Sequence, residues 1–413
     1  MGIASTFEDG ANKKSSGWQF AVVGGIGTMR ILLNIPPSEL KESSGDMSYL
    51  PDLLALRVAD LQYETRNDTP TPLRTVRKVF WHLGRWRVPQ PLRRSLFIAS
   101  QRNFVSPSMM AGKMADVFHT HLLLPWNVAT LRRRYPIAFS SAGISPPWYY
   151  RYIGRGLYED VVAYYNLVGK MVDVIIVWTN SCARRLMEEC PRIQAVVRVV
   201  PPFYRTGSSD QPSFPKTNPI TRFLFVGKEP IRKGLAETVE AFLHIARVKR
   251  DVELIVVSRD VPSQLVEVMS KCSRIRLYNR FVPQEEFNRL MVESDVIVLP
   301  THAETLGAVL IEGMARGCAT LTCDYEPLNE IAPDGVVGFT VPRGDVQALA
   351  EKMLILSTER DLLTQMQKNA WHHYQETFSA EAVAPKLLSG VYLCRRFGGR
   401  YLPTHALRLG RTC

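Results

Sequence analysis

Two glutamates that stand eight residues apart could bind hydroxyl groups near the start of a predicted helix. Glu304 precedes the helix and Glu312 lies about two turns further on, because an α-helix has roughly 3.6 residues per turn. A carboxylate accepts hydrogen bonds from two neighbouring hydroxyls, so the diols of a sugar or a ribose are suitable partners. The alternative for Glu312 is a solvated helix face, but its neighbours Leu310, Ile311 and Met314 are apolar, and a carboxylate in that setting needs a partner.

The backbone between these glutamates offers contacts to a phosphate group. The N–H groups of Thr305, Leu306 and Gly307 lie at the helix start, where backbone donors lack an intrahelical acceptor. The partial positive charge of a helix N-terminus favours anions at the same place. The segment therefore predicts a pyrophosphate site beside the two carboxylates.

A second loop carries positive charge that suits the same ligand. Phe225–Gly234 runs from a predicted strand into a predicted helix and contains Lys228 and Lys233. Lysine presents a compact charge and three donors to phosphate oxygens, and Gly227 permits a sharp turn and a close backbone approach. Taken alone, this loop is more typical of an ordinary strand–turn–helix unit with surface lysines.

A parallel sheet would place both loops at one edge, and the hydrophobic pattern predicts such sheets. Apolar runs of strand length alternate with runs of helix length on both sides of Val200–Pro212, a stretch rich in Pro, Ser and Gly that predicts a linker. Strand–helix alternation is typical of doubly wound α/β domains, whose ligands bind at the carboxyl ends of the strands. The predicted organisation is an extension over 1–28, a first domain over 29–205 and a second domain over 215–375.

Together these motifs resemble glycosyltransferase family 4. The family's strand followed by F-V-G-R and K-G is similar to Phe225–Gly234, with Lys228 where arginine is usual. Its E-x7-E pattern is similar to Glu304–Glu312, and similar text continues at Glu312–Gly317 and Leu328–Ile331. The resemblance covers roughly residues 220–375. It implies the GT-B fold, in which two facing Rossmann-like doubly wound domains form an inter-domain cleft.

The resemblance also implies roles for the motif residues. Glu304 and Lys233 would be catalytic, Glu304 near the reacting carbon of the donor sugar and Lys233 against the leaving diphosphate. Glu312 would bind the ribose hydroxyls. The implied donor-binding set is Gly227, Lys228, Lys233, Glu304, Thr305, Leu306, Gly307 and Glu312.

The implied activity is the retaining transfer of a sugar from a UDP-sugar or GDP-sugar to a glycan or lipid-linked acceptor. The nucleotide-sugar is a substrate, and no cofactor or metal is expected, since the sequence contains no Asp-x-Asp triplet to hold a divalent ion. Preorganised cations and N–H dipoles would stabilise the negative charge that develops on the leaving nucleotide.

The first domain matches the family less well, which leaves another function open. His119 and His121, at the end of the predicted strand Asp116–His119, are the candidates for a histidine that faces the cleft. The histidine that family members often place after the next strand is absent from Ala138–Gly143, and Pro36–Glu39 replaces the usual glycine-rich loop. The alternative is a non-catalytic nucleotide- or carbohydrate-binding protein on a degenerate GT-B scaffold.

Positive charge is concentrated in one segment of a chain whose net charge is +12. Residues 74–134 contain twelve basic residues and a single acid, Asp116. Interleaved with them are the aromatic residues Phe80, Trp81, Trp86, Phe97 and Trp126. This mixture could bind an anionic membrane surface. The alternatives are a solvated basic face and nucleic acid, for which no recognition motif is present, so no nucleic acid partner is expected.

The remaining features predict the location of the protein. Seven cysteines without a C-x-x-C pair favour neither a zinc site nor a disulfide framework. No apolar run reaches the roughly 18 residues that cross a bilayer, and no clear signal peptide is present. We therefore expect a cytoplasmic protein, peripheral at the inner face of the membrane through residues 74–134. Residues 376–413 predict a helix that returns to the first domain, followed by a basic tail.

Overall fold

The computed structural model describes the C-terminal half of the chain almost continuously and parts of the N-terminal half. The described residues are 29–34, 61–65, 90–100, 102–103, 117–121, 124–125, 127–152, 158–204, 212–216, 219–387, 396–397 and 400–401. Their strands form two six-stranded sheets and two two-stranded pairs.

The first sheet is built from the N-terminal half of the chain. The strands described there are β1 (Met29–Asn34), β2 (Leu61–Thr65), β3 (Arg102–Asn103), β4 (Val117–His121), β5 (Leu124–Pro125), β6 (Ile137–Ser140), β7 (Val174–Val177) and β8 (Val196–Val199). The helices are α1 (Gln90–Ser100), α2 (Val128–Arg132), α3 (Pro147–Tyr152), α4 (Tyr158–Met171) and α5 (Asn180–Glu189). Six strands pair in parallel in the order β2-β1-β4-β6-β7-β8, and β3 pairs with β5.

The second sheet is also parallel throughout. Its strands are β9 (Thr221–Gly227), β10 (Val252–Ser258), β11 (Ile275–Asn279), β12 (Val296–Leu299), β13 (Ala319–Cys323) and β14 (Gly338–Val341). Its helices are α6 (Leu235–Ala246), α7 (Ser263–Ser270), α8 (Gln284–Glu293), α9 (Ala308–Met314), α10 (Leu328–Ile331), α11 (Val346–Thr358) and α12 (Arg360–Thr377). The order β11-β10-β9-β12-β13-β14 equals 3-2-1-4-5-6 counted from β9, as in dinucleotide-binding folds. The strand order reverses where β9 pairs with β12.

The prediction of two doubly wound α/β domains is confirmed. All four residues of β7 and all four of β12 are buried, because helices cover both faces of a parallel sheet. Boundaries differ by one to three residues; the helix predicted over Ala308–Arg316, for example, ends at Met314. Among the elements given so far, the prediction named none at β2, β3, β5, β8, β14, α1, α2, α3, α10 or α12.

The segment predicted as a linker, Val200–Pro212, begins as packed structure rather than as a free connection. Phe203 and Tyr204 are 1% and 5% exposed. The Tyr204 N–H donates to the carbonyl of Phe378 at 3.2 Å, and the Tyr374 hydroxyl donates to the Tyr204 carbonyl at 2.5 Å. Two aromatic side chains therefore anchor the start of the predicted linker in the core, which its Pro-rich composition did not indicate. Residues 205–211 lie outside the described residues.

The last long element, α13 (Ala380–Leu387), lies beside the first sheet. Its Val383 and Leu387 share the lining of one pocket with His119, Ile176 and Trp178. Ala384 of this helix belongs to a buried apolar cluster that also contains residues of both sheets, such as Ile176 and Leu224. Of the predicted basic tail, only β15 (Arg396–Phe397) and its antiparallel partner β16 (Arg400–Tyr401) belong to the described residues.

The basic segment 74–134 lies largely outside the described residues. In the described part, Arg94 pairs with Asp160 at 3.4 Å and Arg132 pairs with Asp173 at 2.9 Å. Acids from later in the chain therefore balance some of its charge. No helix among the described residues is both long and apolar enough to cross a membrane. The cysteines described are free thiols: Cys182, Cys190, Cys272, Cys318 and Cys323.

Candidate functional site

A glycine brings the loop after β9 against the loop after β12. Gly234 is the N-cap of α6 and has a φ of 83°, in the left-handed region that favours glycine. A Cβ on Gly234 would lie 2.2 Å from the carbonyl oxygen of Pro300. Gly227, predicted to make the sharp turn, instead ends β9 without a positive φ, and a Cβ there would lie 2.8 Å from Cγ of Lys233. The left-handed turn is therefore at Gly234, and Gly227 leaves room for Lys233.

Lys233 and Glu304 form an ion pair across these two loops. The Lys233 Nζ donates to Oε2 of Glu304, and the two side chains are only 16% and 8% exposed. The other carboxylate oxygen, Oε1, accepts the N–H of Thr305 at 3.0 Å. The structure thus brings together the two residues predicted to be catalytic, at the carboxyl ends of β9 and β12.

The surroundings of Glu304 keep its carboxylate ionised. Burial acts to raise the pKa of Glu304, but the charges of Lys233 and Arg232 oppose it, together with hydrogen bonds from Lys233 and the Thr305 backbone. The balance leaves the pKa below its ordinary value. Glu304 is therefore a charged hydrogen-bond acceptor at neutral pH.

The predicted phosphate cradle has one donor already engaged. The Thr305 N–H donates to Glu304, so a phosphate would have to replace that carboxylate oxygen as its acceptor. Gly307 is the N-cap of α9 with a φ of 79°, and a Cβ there would lie 2.9 Å from Cδ2 of Leu328. Leu306 is 1% exposed and belongs to the core. The three residues precede the helix where predicted.

Glu312 and Lys228 occupy more open positions at the same edge. Glu312 lies on α9 and is half-buried, whereas its neighbours Leu310 and Ile311 are fully buried. Its carbonyl accepts Nη1 of Arg316 at 2.9 Å. Lys228 follows β9 directly and is exposed. Both polar side chains are thus placed where a ligand at this edge could reach them.

The two histidines of the first domain lie on β4. His119 is 2% exposed, and its Nε2 lies 2.8 Å from Oγ of Ser140. Burial lowers the pKa of His119 to about 4, so the imidazole is neutral at physiological pH. It lines a small pocket beside α13. The backbone of His121 ends β4, and its side chain lies outside the described residues.

Arg232 is a further cation at the site that the sequence prediction missed. Its Nη1 donates to the carbonyl of Ala303, and its Nε donates to Glu229 at 2.7 Å. The carbonyl of Arg232 in turn accepts the N–H of His302 at 2.8 Å. Its place one residue before Lys233, within Phe225–Gly234, was the available signal.

The sequence prediction also missed two aromatic residues of the first domain that contact the second domain. Helix α3 carries Trp148, whose ring lies 4.4 Å from the Arg343 guanidinium carbon. It also carries Tyr152, whose ring stacks on His302 with centroids 5.6 Å apart. His302 Nε2 lies 2.6 Å from Glu237 Oε1. An aromatic run such as Pro147–Tyr152 carries no sequence signal for such a contact, because its partners lie far along the chain.

A separate ionic contact joins the two domains. The Glu330 carboxylate accepts the backbone N–H groups of Asn180 and Ser181, at 2.8 and 2.6 Å, at the start of α5. Arg184 and Arg185 of the same helix pair with Glu326. A carboxylate is favoured at a helix N-terminus by the partial positive charge there.

Metal ligands are not grouped anywhere in the described part of the chain. There, no three His, Cys, Asp or Glu side chains come close enough to hold an ion together.

Known proteins resemble parts of this chain. Residues 220–359 match the family described as "Glycosyl transferases group 1". Phosphatidyl-myo-inositol mannosyltransferase of Mycobacterium tuberculosis is 30% identical over 174 residues, which are 40% of this chain and 45% of that protein. The Mycobacterium leprae protein of the same name is 25% identical over 218 residues, 52% of each chain. The match spans about half the length of these curated relatives.

Solved structures show the fold. Sucrose-phosphate synthase from Thermosynechococcus elongatus has a TM-score of 0.63 at 16% identity, covering 87% of this chain and 97% of that one. An E. coli structure described as trehalose-6-phosphate bound with UDP-2-fluoro glucose has a TM-score of 0.63 at 11% identity, covering 88% and 99%. The chain has the GT-B fold, with two parallel-sheet α/β domains, and the prediction of that fold is confirmed.

Proposed function

We propose that this chain is a retaining glycosyltransferase that moves a sugar from a UDP-sugar or GDP-sugar to a glycan or a lipid-linked acceptor. The observation that carries the proposal is the Lys233–Glu304 ion pair. It lies at the carboxyl ends of β9 and β12, where the strand order of the second sheet reverses. Ligands of doubly wound sheets bind at that point.

The comparisons support a nucleotide-sugar donor. The family match, residues 220–359, contains Lys228, Lys233, Glu304 and Glu312. Relatives that match about half of this chain or less include a phosphatidyl-myo-inositol mannosyltransferase and an alpha-D-kanosaminyltransferase. Similar folds include Anabaena Alr3699/HepE in complex with UDP and glucose, at a TM-score of 0.57. The names of these relatives motivate both the sugar donor and the choice between a glycan and a lipid-linked acceptor.

Each residue of the site has a proposed part in binding the donor. Lys228 and Lys233 attract the diphosphate oxygens, with Thr305, Leu306 and Gly307 supplying backbone N–H groups. The half-buried Glu312 accepts the ribose hydroxyls, because a carboxylate can accept from both members of a diol. The ionised Glu304 accepts hydroxyls of the donor sugar next to its anomeric carbon.

The reaction breaks the bond between the anomeric carbon and the diphosphate oxygen. The acceptor hydroxyl oxygen forms the new bond on the same face of the sugar. Its proton goes to the departing diphosphate oxygen, and a nucleoside diphosphate leaves. Negative charge grows on the leaving oxygen, and Lys233, which is only 16% exposed, stabilises it most strongly where water is excluded. The cations of the protein carry this role in the proposal, without a cofactor.

The basic residues 74–134 supply a proposed contact with an anionic membrane, at the cytoplasmic face. Flotation with phosphatidylserine-containing liposomes, compared with neutral phosphatidylcholine liposomes, tests this part. Binding that needs the anionic lipid and falls with salt supports it, because such attraction is screened within roughly 10 Å at 0.1 M salt. Equal recovery of the protein with neutral liposomes would contradict the proposed membrane contact.

Thermal unfolding with UDP, GDP, ADP and CMP tests the donor site first. A nucleotide at about 100 times its dissociation constant should add roughly 2.7 kcal/mol, a shift of a few degrees. Lys233→Ala and Glu312→Gln should lose that response. Val248→Ala is the matched control, because Val248 is 72% exposed and no proposed donor contact involves it. The stabilising nucleotide identifies the base and selects UDP-glucose, UDP-N-acetylglucosamine or GDP-mannose for transfer assays.

Transfer with the selected donor tests the chemistry. The anomeric configuration of the product, read by NMR coupling constants, decides between retention and inversion. Nucleotide binding without any transfer or donor hydrolysis would favour the non-catalytic binding protein instead. A folded protein that no nucleotide stabilises at millimolar concentration would contradict both functions.

A further inference from the structure

The three residues before Glu304 are held by their carbonyl groups. Each carbonyl accepts a hydrogen bond from a phenolic or cationic side chain of another element. The pairs are Tyr325 Oη to Thr301 at 3.1 Å, Arg343 Nη1 to His302 at 3.1 Å, and Arg232 Nη1 to Ala303. Because these bonds fix the path of the backbone up to Glu304, they also fix where its side chain starts.

One side chain of the first domain contacts two of those three donors. The Arg343 guanidinium carbon lies 4.4 Å from the centre of the Trp148 ring, within cation–π range. The Tyr325 and Trp148 rings lie 5.1 Å apart at 87°, in the edge-to-face arrangement that aromatic pairs favour. Arg343 also lies 5.9 Å from the Tyr325 ring, so the three side chains form one cluster.

The cluster is close to the charge of the site. Burial and, after it, the negative charge of Glu304 raise the pKa of the Tyr325 phenol. The phenol therefore stays protonated and keeps its donor for the Thr301 carbonyl. Arg343 is exposed, so the face of Trp148 orders a guanidinium that solvent would otherwise leave free to change rotamer.

We propose that Trp148 is a positioning residue that couples the approach of the first domain to the placement of the Glu304 carboxylate, through Arg343 and Tyr325. This inference rests on the proposed function. When the domains are together, Trp148 packs on both donors and the Thr301–Ala303 backbone is fixed. When they separate, two of the three supports lose their packing, and Glu304 loses its fixed position over the donor sugar.

The third support, Arg232, does not depend on Trp148. It belongs to the second domain and pairs with Glu229 there. The site therefore loses alignment rather than its fold when Trp148 is removed. Misplacement of a reacting group by about 1 Å can cost on the order of 100-fold in rate, so a measurable fall in turnover is expected.

The test measures donor hydrolysis or transfer together with nucleotide affinity, in the full chain. Trp148→Ala should lower kcat by about 10- to 100-fold while the dissociation constant of the selected nucleotide changes less than about twofold, since its diphosphate and ribose contacts are elsewhere. Trp148→Phe keeps a ring against Arg343 and should recover most of the rate. Val248→Ala should leave both quantities unchanged.

A double-mutant cycle separates positioning from a general structural effect. If Trp148 acts through Arg343 and Tyr325, Trp148→Ala should cost less rate in an Arg343→Ala background than in the wild type. It should cost nothing further once Arg343→Ala and Tyr325→Phe are combined, because neither donor is then left to position. Arg343→Lys keeps the charge but loses the planar guanidinium, and should resemble Arg343→Ala more than the wild type.

The possible results keep the two proposals distinct. Unchanged kcat in Trp148→Ala, rate losses that multiply in the double variant, or a nucleotide affinity that falls as much as kcat would each overturn the role of Trp148. Any of these requires a wild type that binds nucleotide and turns over. A wild type that does neither instead contradicts the proposed function itself.

Discussion

Gly234 lies against the carbonyl oxygen of Pro300 so closely that a Cβ on the glycine would be 2.2 Å from that oxygen. The contact joins the residue after Lys233 to the residue before Thr301. It therefore sets the separation of the two loops whose side chains form the Lys233–Glu304 pair.

Replacing Gly234 with alanine should destabilise the protein strongly. The positive φ costs roughly 1–2 kcal/mol for an L-residue, and the backbone clash with Pro300 adds to it, so we expect a loss of about 3 kcal/mol or more. Gly335→Ala is the matched control, because its φ is 70° but nothing lies within 4 Å of its Cβ position. Urea unfolding measures both. Equal losses in the two variants would show that the contact with Pro300 carries no cost.

Removing one partner of the Lys233–Glu304 pair should cost more than removing both charges. Lys233→Ala leaves a carboxylate with an 8% exposed side chain, and breaking a buried pair in this way costs about 3–5 kcal/mol. The double variant Lys233→Ala with Glu304→Gln removes the unpaired charge and should regain part of that loss. Urea unfolding at neutral pH checks the order. A double variant less stable than Lys233→Ala would contradict it.

The contact between Glu330 and α5 predicts protection of two amides. Glu330→Gln keeps the size of the side chain but weakens the bonds from the N–H groups of Asn180 and Ser181, so their hydrogen exchange should quicken. Glu326→Gln is the control, because the contacts of Glu326 with α5 are to the side chains of Arg184 and Arg185. Exchange measured by mass spectrometry on peptides that span the start of α5 tests this. Equal exchange in both variants and the wild type would exclude a protective role.

The buried His119 predicts a loss of stability in weak acid. Its pKa is about 4 when folded and about 6.5 when exposed. Above pH 6.5 the His119 imidazole is neutral in both the folded and the unfolded chain, and the full stability is present. Between pH 6.5 and 4 only the unfolded chain binds the proton, so the free energy of unfolding decreases as the pH is lowered. The total loss is about 3 kcal/mol, as roughly 1.36 kcal/mol per pKa unit implies.

A His119→Gln variant isolates this effect. Its free energy of unfolding should change less between pH 7 and 4 than that of the wild type. Burial also lowers the pKa of His373, so His373→Gln serves as the comparison for a second histidine. Glu304, with its lowered pKa, loses its contribution only as the pH falls below about 4.5. A wild type and His119→Gln with the same pH profile would refute the prediction.

Much of the second domain could be predicted from local pattern. Val296–Leu299 is an apolar run too short for a helix and long enough for a buried strand, so its place in the sheet follows from residue type. The positions of Glu304 before the helix and Glu312 within it were also predicted correctly, because α9 begins at Ala308 as expected. Local sequence dictates such features because their causes lie within a few residues.

The features that could not be predicted depend on distant partners. Phe203 and Tyr204 follow two prolines at the start of the predicted linker, and only the structure shows that their side chains pack in a core with Tyr374 and Phe378. Gly227 and Gly234 are equally permissive in the sequence, and only the proximity of Pro300 shows which one the backbone contact requires. Trp148 and Arg343 are nearly two hundred residues apart, and no pattern in the sequence predicts that their side chains are in contact.

The packed Phe203–Phe378 region has a mechanical consequence. The chain passes from the first sheet to the second through Pro201–Tyr204, and returns beside the first sheet through α13. The hydrogen bonds of Tyr204 with Phe378 and Tyr374 tie the two passages together. We expect two connections held side by side to let the domains rotate about the line through both, and to oppose other relative movements. A chimera in which the second domain is exchanged for that of a relative would therefore need two junctions, one in each connection. Tyr204, Tyr374 and Phe378 would have to come from the same protein, so that their hydrogen bonds are kept.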